Sequence, residues 1–254
     1  MSRNRIAVLS DIHGNIRALD AVLTDITRRG IDRIANLGDC LYGPLDPVPV
    51  AERLLATHWP TVSGNEDRIL VEASGGRPVS RTARFTAERL SETHLRWLAQ
   101  LPLTLEIGAG LFACHGTPTD DTQYLLSRPT EDGTVRPATD AEIVEQLGSI
   151  DAPLILCGHD HLPRAVRLDD GRTIVNPGSI GCPAYTDDSP IPHTVGNNTP
   201  RARYAIVTYD SDSPEADLIS VAYNWAAAAA EAESNGFPDW ANWLRTGRAN
   251  PPDL

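Results

Sequence analysis

Short apolar runs alternate with segments of helical spacing over the first 65 residues, and this alternation constrains the fold more than any other feature. Ile6 to Ser10 is an apolar run that ends in a polar cluster, and Asn15 then opens a segment with apolar residues at helical spacing. A second run at Ile34 to Leu37, a helical segment at Val50 to Ala56 and a third run at Thr61 to Gly64 follow. The order βαβαβ predicts a largely parallel sheet covered by helices.

The second half of the chain has fewer helical segments between its apolar runs, which predicts added antiparallel strand pairs. A hairpin is expected around residues 108–110, and short helices are expected within 86–100 and at 140–147. Further strands are predicted at residues 154–157, 165–168, 173–175, 204–209 and 218–223. We expect a loop at 74–82, an exposed insertion at 183–200, and terminal helices with a tail at 224–254. No linker divides the sequence, so a single domain over 1–254 is predicted.

Composition excludes several function classes. All 22 basic residues are arginine, so a Schiff-base lysine and the lysine of a phosphate-binding Gly-rich loop are both excluded. The net charge of −12 argues against a nucleic-acid polymer or an anionic membrane as partner. No apolar run approaches the roughly 20 residues that cross a bilayer, and Asp11 closes the N-terminal run too early for a signal sequence. The four cysteines show no paired spacing, and a cytoplasmic location is expected.

Polar residues that can bind metal recur where the predicted strands end. Ligands of α/β sheets bind at the carboxyl ends of strands, so residues remote in sequence can converge there. Oxygen and imidazole ligands suit Mn, Fe, Zn, Ni or Co, and two ions about 3.5–4 Å apart favour in-line displacement at phosphorus. These seven residues are Asp11, His13, Asp39, Asn65, His115, His159 and His161.

The motifs around these residues resemble those of the calcineurin-like metallophosphoesterases. They are Asp11-Ile12-His13, Gly38-Asp39, Gly64-Asn65 with Asp67, His115-Gly116 and Gly158-His159-Asp160-His161, in that order within residues 6–182. The run from Asn176 to Gly181 narrows the resemblance to the small bacterial and archaeal phosphodiesterase branch. The resemblance implies a four-layer α/β sandwich, in which two mixed β-sheets are flanked by helices.

The resemblance also implies a ligand set and a reaction. Asp11, His13, Asp39 and His161 would hold the first ion. Asp39, Asn65, His115 and His159 would hold the second, with Asp39 as the bridge. The implied reaction is hydrolysis of a small phosphodiester or phosphomonoester by in-line attack of a metal-bridging hydroxide, with manganese as the first metal to test. Asp39, Asn65 and His115 are the predicted catalytic residues.

One position departs from the family pattern. The family usually has histidine after Gly-Asn, where it stabilises phosphoryl oxygens or protonates the leaving oxygen, and this chain has Glu66. Either Glu66 is held protonated, or it turns away and Arg68 or a water takes part of the role. We favour the second interpretation, because nearby cations lower the pKa of a carboxyl group. The departure predicts a preference for esters with acidic leaving groups.

The remaining residues of interest have more modest predicted roles. Asp67 is expected to orient a ligand histidine. Asn176 and Ser179 either line the substrate cleft or form a tight turn beneath it. The other histidines, at positions 58, 94 and 193, are interpreted as surface or hydrogen-bonded core residues, and Cys40, Cys114 and Cys157 as buried strand-end residues.

Two alternative functions stay open at this stage. The retromer subunit of this fold shows that the architecture can serve as a protein-binding scaffold once metal ligands are lost. All seven ligand positions are intact here, which disfavours that alternative, although the departure at Glu66 leaves it open. A protein or dinucleoside polyphosphate phosphatase is disfavoured because the Asp-Arg-Gly signature after Gly-Asp is missing. A homo-oligomer is possible, but the sequence does not indicate one.

Overall fold

The computed structural model describes residues 4–108, 110–209 and 214–250. Ala109 of the predicted hairpin turn and residues 251–254 of the predicted tail lie outside the described residues. The helices are Ile16–Arg28 (α1), Val48–Leu55 (α2), Asn65–Ser74 (α3), Arg81–Ala87 (α4), Glu92–Leu98 (α5), Asp140–Leu147 (α6), Trp225–Ser234 (α7) and Pro238–Thr246 (α8). The strands are Arg5–Leu9 (β1), Ile34–Asn36 (β2), Thr104–Glu106 (β3), Leu111–Cys114 (β4), Ser127–Pro129 (β5), Val135–Pro137 (β6), Leu154–Leu156 (β7), Arg164–Arg167 (β8), Thr173–Asn176 (β9), Ala184–Asp187 (β10), His193–Gly196 (β11), Ala202–Thr208 (β12) and Glu215–Val221 (β13).

Two mixed sheets form the centre of the fold. The first has the order β13-β12-β1-β2, in which β1 and β2 are parallel and the other pairs are antiparallel. The second has the order β3-β4-β7-β9-β8, with a parallel centre of β4, β7 and β9 and an antiparallel strand at each edge. The late strands therefore add the antiparallel pairs that the sequence predicts.

The alternation of side chains along β1 shows how the layers are stacked. Ile6 and Val8 are buried against residues of the second sheet such as Leu156. Ala7 and Leu9 point to the opposite face, where they pack in the cluster that includes residues of α1 and α2. Successive strand residues face opposite sides. One face of β1 therefore packs against the helices, and the other packs against the second sheet.

The outer face of the second sheet is covered in the same way. Phe112 of β4 and Ile155 of β7 pack against Ile143 and Leu147 of α6. The order of layers is therefore helices, sheet, sheet, helix, and the predicted four-layer α/β sandwich is confirmed.

The elements between residues 61 and 90 differ from the predicted ones. The third run, Thr61 to Gly64, forms one bridge, from Thr61 to Asn36, and no named strand within the described part of the chain. Asn65 then begins α3, a helix that the sequence analysis left unassigned. Helix α4 begins at Arg81, inside the predicted 74–82 loop, because Ser80 caps it by accepting a hydrogen bond from the Ala83 N–H at 3.1 Å.

The predicted exposed insertion at 183–200 contains a hairpin of β10 and β11 and is partly buried. Ala184, His193 and Val195 are almost completely inaccessible to solvent. The many Pro, Asp, Asn and Thr residues hide the period-two burial of the second strand, so composition alone predicts a surface segment. No helix within the described ranges is long and apolar enough to cross a membrane.

Candidate metal centre

Six of the seven predicted ligands follow strands of the two sheets, and the seventh, Asn65, begins α3 and lines the same cleft as Asp39. Asp11 and His13 follow β1, Asp39 follows β2, and His115 follows β4 directly. The ligand atoms of Asp39, His115 and His159 all lie within 4.8 Å of one another, and so do those of Asp11, His13 and Asp39. Asp39 belongs to both groups, so the predicted bridging position is where the two groups meet.

The distances within this cluster are short. The Nε2 atom of His161 lies 3.3 Å from Oδ1 of Asp11, and Nε2 of His115 lies 3.1 Å from Oδ2 of Asp39. The Nε2 atoms of His13 and His161 are 3.2 Å apart. Such a concentration of buried lone pairs needs positive charge, either from protons or from metal ions.

Backbone carbonyls fix the orientation of the four imidazoles. The Nδ1 atoms of His13, His115 and His161 lie 2.9, 2.7 and 2.7 Å from carbonyl oxygens of Tyr42, Leu37 and Cys182. The Nε2 atom of His159 lies 3.0 Å from the carbonyl oxygen of Thr122. A carbonyl only accepts hydrogen bonds, so each facing nitrogen carries the proton and the other ring nitrogen is available to a metal.

Backbone strain is concentrated at the same residues. Five of the six non-glycine residues with positive φ in the described ranges are predicted ligands: Asp11 (56°), His13 (50°), Asp39 (51°), His159 (71°) and His161 (57°). A left-handed conformation costs about 1–3 kcal/mol at such residues and is typical of functional sites. The fold retains these conformations because they turn the side chains towards one point.

Several buried polar atoms of the cluster lack hydrogen-bond partners in the described part of the chain. They are both carboxylate oxygens of Asp11, Oδ1 of Asn65 and Nε2 of His115. Buried polar atoms are otherwise almost always paired. A carboxylate, an amide oxygen and an imidazole nitrogen are ligands that divalent cations of the Mn to Zn series accept, so these residues fit the implied metal ions.

Carboxylates and imidazoles shift each other's pKa values. Burial alone would raise the pKa of Asp11 and Asp39, but the neighbouring histidines hold both below the usual value. Burial would lower the pKa of His115, but Asp39 and Asp11 raise it to about 10. His159 is the opposite case, because burial and the charge of His115 lower its pKa to about 4. A metal would therefore compete with protons for some of these imidazoles.

A family model agrees with this arrangement. The model of the calcineurin-like phosphoesterase superfamily domain matches residues 5–196, a range that contains all seven predicted ligands. The chain belongs to the calcineurin-like phosphoesterase superfamily. This membership, together with the similarity to a solved metallophosphoesterase structure, identifies the chain as a phosphoester hydrolase.

Individual relatives are moderately similar. A metallophosphoesterase structure from Sphaerobacter thermophilus is 26% identical, with a TM-score of 0.76 over 97% of this chain and 100% of that chain. An uncharacterised protein of Methanocaldococcus jannaschii is 26% identical over 94% of this chain and 96% of its own length. A putative diadenosine tetraphosphatase is 15% identical, with a TM-score of 0.52 over 85% of this chain and 94% of that chain, and shares the fold.

Asp67 of this phosphoesterase positions backbone rather than a histidine, which corrects the prediction. Its carboxylate accepts N–H donors from Asp39 at 2.8 Å, Cys40 at 2.9 Å and Gly64 at 3.0 Å. Burial and the charge of Asp39 raise the pKa of Asp67 to about 6. Asp67 thus ties the loop carrying Asp39 to the start of α3, which carries Asn65.

Asn176 and Ser179 belong to the tight turn beneath the site and do not line the cleft. Both are buried. The Ser179 hydroxyl donates to the carbonyl of Asp11 at 2.9 Å, and the Asn176 amide donates to the carbonyl of Gly158 at 2.7 Å. Of the two interpretations left open, the turn is the correct one.

Two motif glycines are required by close approach. A Cβ at Gly64 would lie 2.0 Å from Oδ1 of Asp39, and a Cβ at Gly158 would lie 2.1 Å from Oγ of Ser10. Neither neighbour is free to withdraw, because the Asp39 and Ser10 segments both carry site residues. The glycines therefore allow the loops with the metal ligands to pack together.

The interpretation that Glu66 turns away is wrong. Glu66 lines the cleft, and its Oε2 lies 3.2 Å from Nδ1 of His13. Burial and the charge of Asp39 raise its pKa to about 8. Arg68 does not replace it, because the Arg68 guanidinium pairs with both carboxylate oxygens of Asp121 at 2.9 and 2.8 Å and is absent from the cleft lining. The preceding residue Asn65 begins α3, and this helix separates Glu66 from Arg68 by half a turn.

The cleft above the predicted ligands has a volume of about 350 Å³. Loops 42–49, 68–82 and 183–200, from which the sequence predicts pocket walls, supply several lining residues, but Cys182, Trp240 and Trp243 were missed. The Trp240 and Trp243 spacing indicates one helix face, but nothing in the sequence places that face at the metal motifs. A larger cavity of about 620 Å³ beside Arg68 and Leu98 shares no lining residue with this cleft and none with the predicted ligands.

The other histidines and the cysteines agree with their predicted roles. His58 is exposed, His94 caps α5 and lies 3.1 Å from Glu52, and buried His193 lies 2.8 Å from the Tyr124 hydroxyl. All four cysteines are free and buried. Cys182 differs from the others in position, because its Sγ lies within 4.8 Å of the ligand nitrogens of His13 and His161.

Proposed function

We propose that this hydrolase acts on small phosphate esters and depends on two divalent ions. Asp11, His13, Asp39 and His161 would hold one ion. Asp39, Asn65, His115 and His159 would hold the other. When bound, such ions supply Lewis-acid activation of water and neutralise phosphoryl charge. The observation that carries the proposal is the set of buried, unpartnered oxygen and nitrogen atoms that meet around Asp39.

The residues of the chain prepare the site in three ways. The carbonyls of Leu37, Tyr42 and Cys182 keep imidazoles in one tautomer and orientation. The fold holds the ligand backbone in left-handed conformations, so little reorganisation accompanies binding. Burial excludes bulk water from the carboxylates, which strengthens their interaction with any bound charge.

Charge favours a phosphodiester over a phosphomonoester. Two divalent ions beside ionised Asp11 and Asp39 would leave a net charge of about +2, and ionised Glu66 would reduce it to about +1. The cleft lining within the described residues includes Asp187 as a further acid and no arginine. A singly charged diester matches this site better than a doubly charged monoester, in keeping with the small phosphodiesterase branch.

Glu66 also predicts how the rate depends on the leaving group. Beside two bound cations Glu66 would be ionised, and a carboxylate cannot do what the histidine at this position does in the family, which is to protonate or stabilise the leaving oxygen. Leaving groups that need no protonation should therefore be favoured. We expect aryl esters to be hydrolysed much faster than alkyl esters of the same charge.

The test combines metal analysis with a substrate panel. The purified protein is analysed for bound metal and assayed with Mn²⁺ or EDTA on bis(p-nitrophenyl) phosphate, p-nitrophenyl phosphate, a dialkyl phosphate, a phosphopeptide and a dinucleoside polyphosphate. We expect about two ions per chain, the highest rate on the aryl diester, and a loss of at least about 100-fold in Asp39→Asn and His115→Ala. His58→Ala, which changes an exposed histidine, is the control.

The outcomes separate the alternatives. A protein that binds metal but hydrolyses none of these esters would support the scaffold alternative. A phosphopeptide or a dinucleoside polyphosphate as the best substrate would support the third alternative. Equal rates on aryl and alkyl diesters would contradict the role assigned to Glu66.

A further inference from the structure

Helix α8 brings two indole rings to the cleft that contains the predicted metal ligands. Trp240 and Trp243 are three residues apart and lie on one helix face. Their ring centroids are 5.4 Å apart, and the Trp240 ring meets the His13 ring edge-on at 5.7 Å. Trp240 is only 8% exposed, whereas Trp243 is half-buried, and both line the cleft.

Two tyrosines extend this aromatic lining. The Tyr185 ring lies 4.6 Å from that of His161, and the Tyr42 ring lies 6.4 Å from that of Trp240. The Tyr185 hydroxyl donates to Tyr124 at 2.7 Å, and the Tyr42 hydroxyl is 3.0 Å from that of Ser80. Because both hydroxyls already have partners, these tyrosines offer mainly ring surface to a ligand.

Away from the predicted ligands, the rest of the lining is mostly polar, with Ile69 as an apolar residue, and it includes no arginine among the described residues. Thr82, Thr186 and Asp187 supply hydroxyl and carboxylate acceptors. The phosphate of a ligand would therefore have to bind at the metal centre, and the remaining part of the ligand would meet aromatic rings and hydrogen-bond acceptors. A volume of about 350 Å³ is at the lower end of small-ligand sites.

We propose that the aromatic wall of Tyr42, Tyr185, Trp240 and Trp243 binds the base of a nucleoside phosphate ester. A nucleobase is planar and has N–H donors along its edge, so it matches both the rings and the acceptors. An acyl chain would match only the rings and would leave Asp187 and the threonines without ligand partners. This inference rests on the proposed function, because the phosphate is placed at the metal centre.

The test compares two ligands that differ only in the base. Adenosine 5′-monophosphate and ribose 5-phosphate are titrated into the Mn²⁺-loaded protein by calorimetry. We expect the nucleotide to bind at least about 10-fold more tightly, within the range of aromatic stacking on a base. Trp243→Ala should remove most of this difference, because it should weaken binding of the nucleotide and leave binding of ribose 5-phosphate unchanged.

Two further variants control for packing. Trp243→Phe keeps an aromatic ring at the position and should retain part of the discrimination. Trp225→Ala removes another half-buried indole, which contacts Tyr223 and does not line the cleft, and should change neither affinity. Thermal unfolding verifies that each variant is folded.

Each remaining outcome overturns the inference. Equal affinities for the two ligands would show that the wall does not bind the base. An equal loss of both affinities in Trp243→Ala would show that the indole only supports the site. If the protein still hydrolyses bis(p-nitrophenyl) phosphate in either case, the proposed function stands and only this inference fails. If it binds neither ligand and hydrolyses no ester, both fail.

Discussion

Two buried aspartates of this phosphoesterase have opposite surroundings. Asp25 in α1 accepts hydrogen bonds from Arg28, from Nε of Arg29 at 2.7 Å and from the Tyr204 hydroxyl at 2.8 Å. Asp11 is completely buried, yet among the residues that the structure describes neither of its carboxylate oxygens has a hydrogen-bond partner, and Nε2 of His161 lies 3.3 Å from its Oδ1. The first aspartate is satisfied by the fold, and the second is not.

The backbone conformations of the two aspartates differ as well. Asp25 lies in regular helix, where its conformation costs nothing, whereas Asp11 has a φ of 56°. Burial would raise the pKa of Asp25, but its hydrogen-bond donors hold it at about 2. A group with all its partners inside the chain contributes to stability, and a group that lacks them is available to a ligand. The comparison predicts that the two aspartates affect different measurements.

The largest expected effect is on the rate. Asp11→Asn removes a charge that would bind metal, so kcat/KM for an aryl phosphodiester should fall by about 1,000-fold. Asp25→Asn, an identical chemical change, should leave kcat/KM within about two-fold, because its site lies in α1 away from the cleft lining. Steady-state kinetics check both variants. A large loss of rate in Asp25→Asn would remove the distinction between the two regions.

Metal removal should have the next largest effect. Ligands that bind the folded state at about 1,000 times Kd add about 4 kcal/mol to stability, which corresponds to roughly 10 °C for a chain of this size. EDTA should therefore lower the Tm by about 10 °C in the wild type and in Asp25→Asn. Asp39→Asn should show a much smaller shift. Differential scanning fluorimetry with and without Mn²⁺ measures this, and an unchanged wild-type Tm would argue against metal binding.

Asp25 and its hydrogen-bond donors should affect the stability of the fold and how that stability depends on pH. Its pKa in the folded state, about 2, is below the ordinary 3.8, so its contribution is complete above about pH 4 and is lost as the pH falls towards 2. Asp25→Asn should lower the free energy of unfolding by about 1–2 kcal/mol at pH 6. The difference in the free energy of unfolding between the wild type and Asp25→Asn should be smaller at pH 3. Urea unfolding in EDTA measures this difference. A difference that becomes larger as the pH falls would contradict the prediction.

Arg68 should have the smallest effect. Its guanidinium is engaged by Asp121 and faces the larger cavity, so Arg68→Ala should change kcat/KM by less than about three-fold. Glu66→Gln, two residues away and inside the cleft, is the matched comparison and should change the rate more. A collapse of activity in Arg68→Ala would return Arg68 to the phosphoryl role that sequence reasoning considered for it.

Local patterns predicted the strands, and motifs that resemble the family predicted the four-layer sandwich and the set of ligands. The apolar runs before Asp11 and Asp39 set the strands, and the ends of parallel strands meet by topology. The direction of Glu66 was not predictable, because it depends on α3 beginning at Asn65, where Gly64 has no capping side chain. The burial of His193 depends on Tyr124, which is 69 residues away. Contacts of that range leave no local periodicity.

Helix α8 lies beyond residues 5–196, the part of the chain that the family model covers, yet it walls one side of the cleft. On the proposal made above, α8 would supply two of the four aromatic rings that bind the base, from outside the stretch that carries the seven predicted ligands. Exchange of the α7–α8 segment between relatives should therefore change which ester is accepted and leave the predicted metal ligands unchanged. For protein engineering, the same proposal makes α8 the segment to vary first when a different ester is wanted.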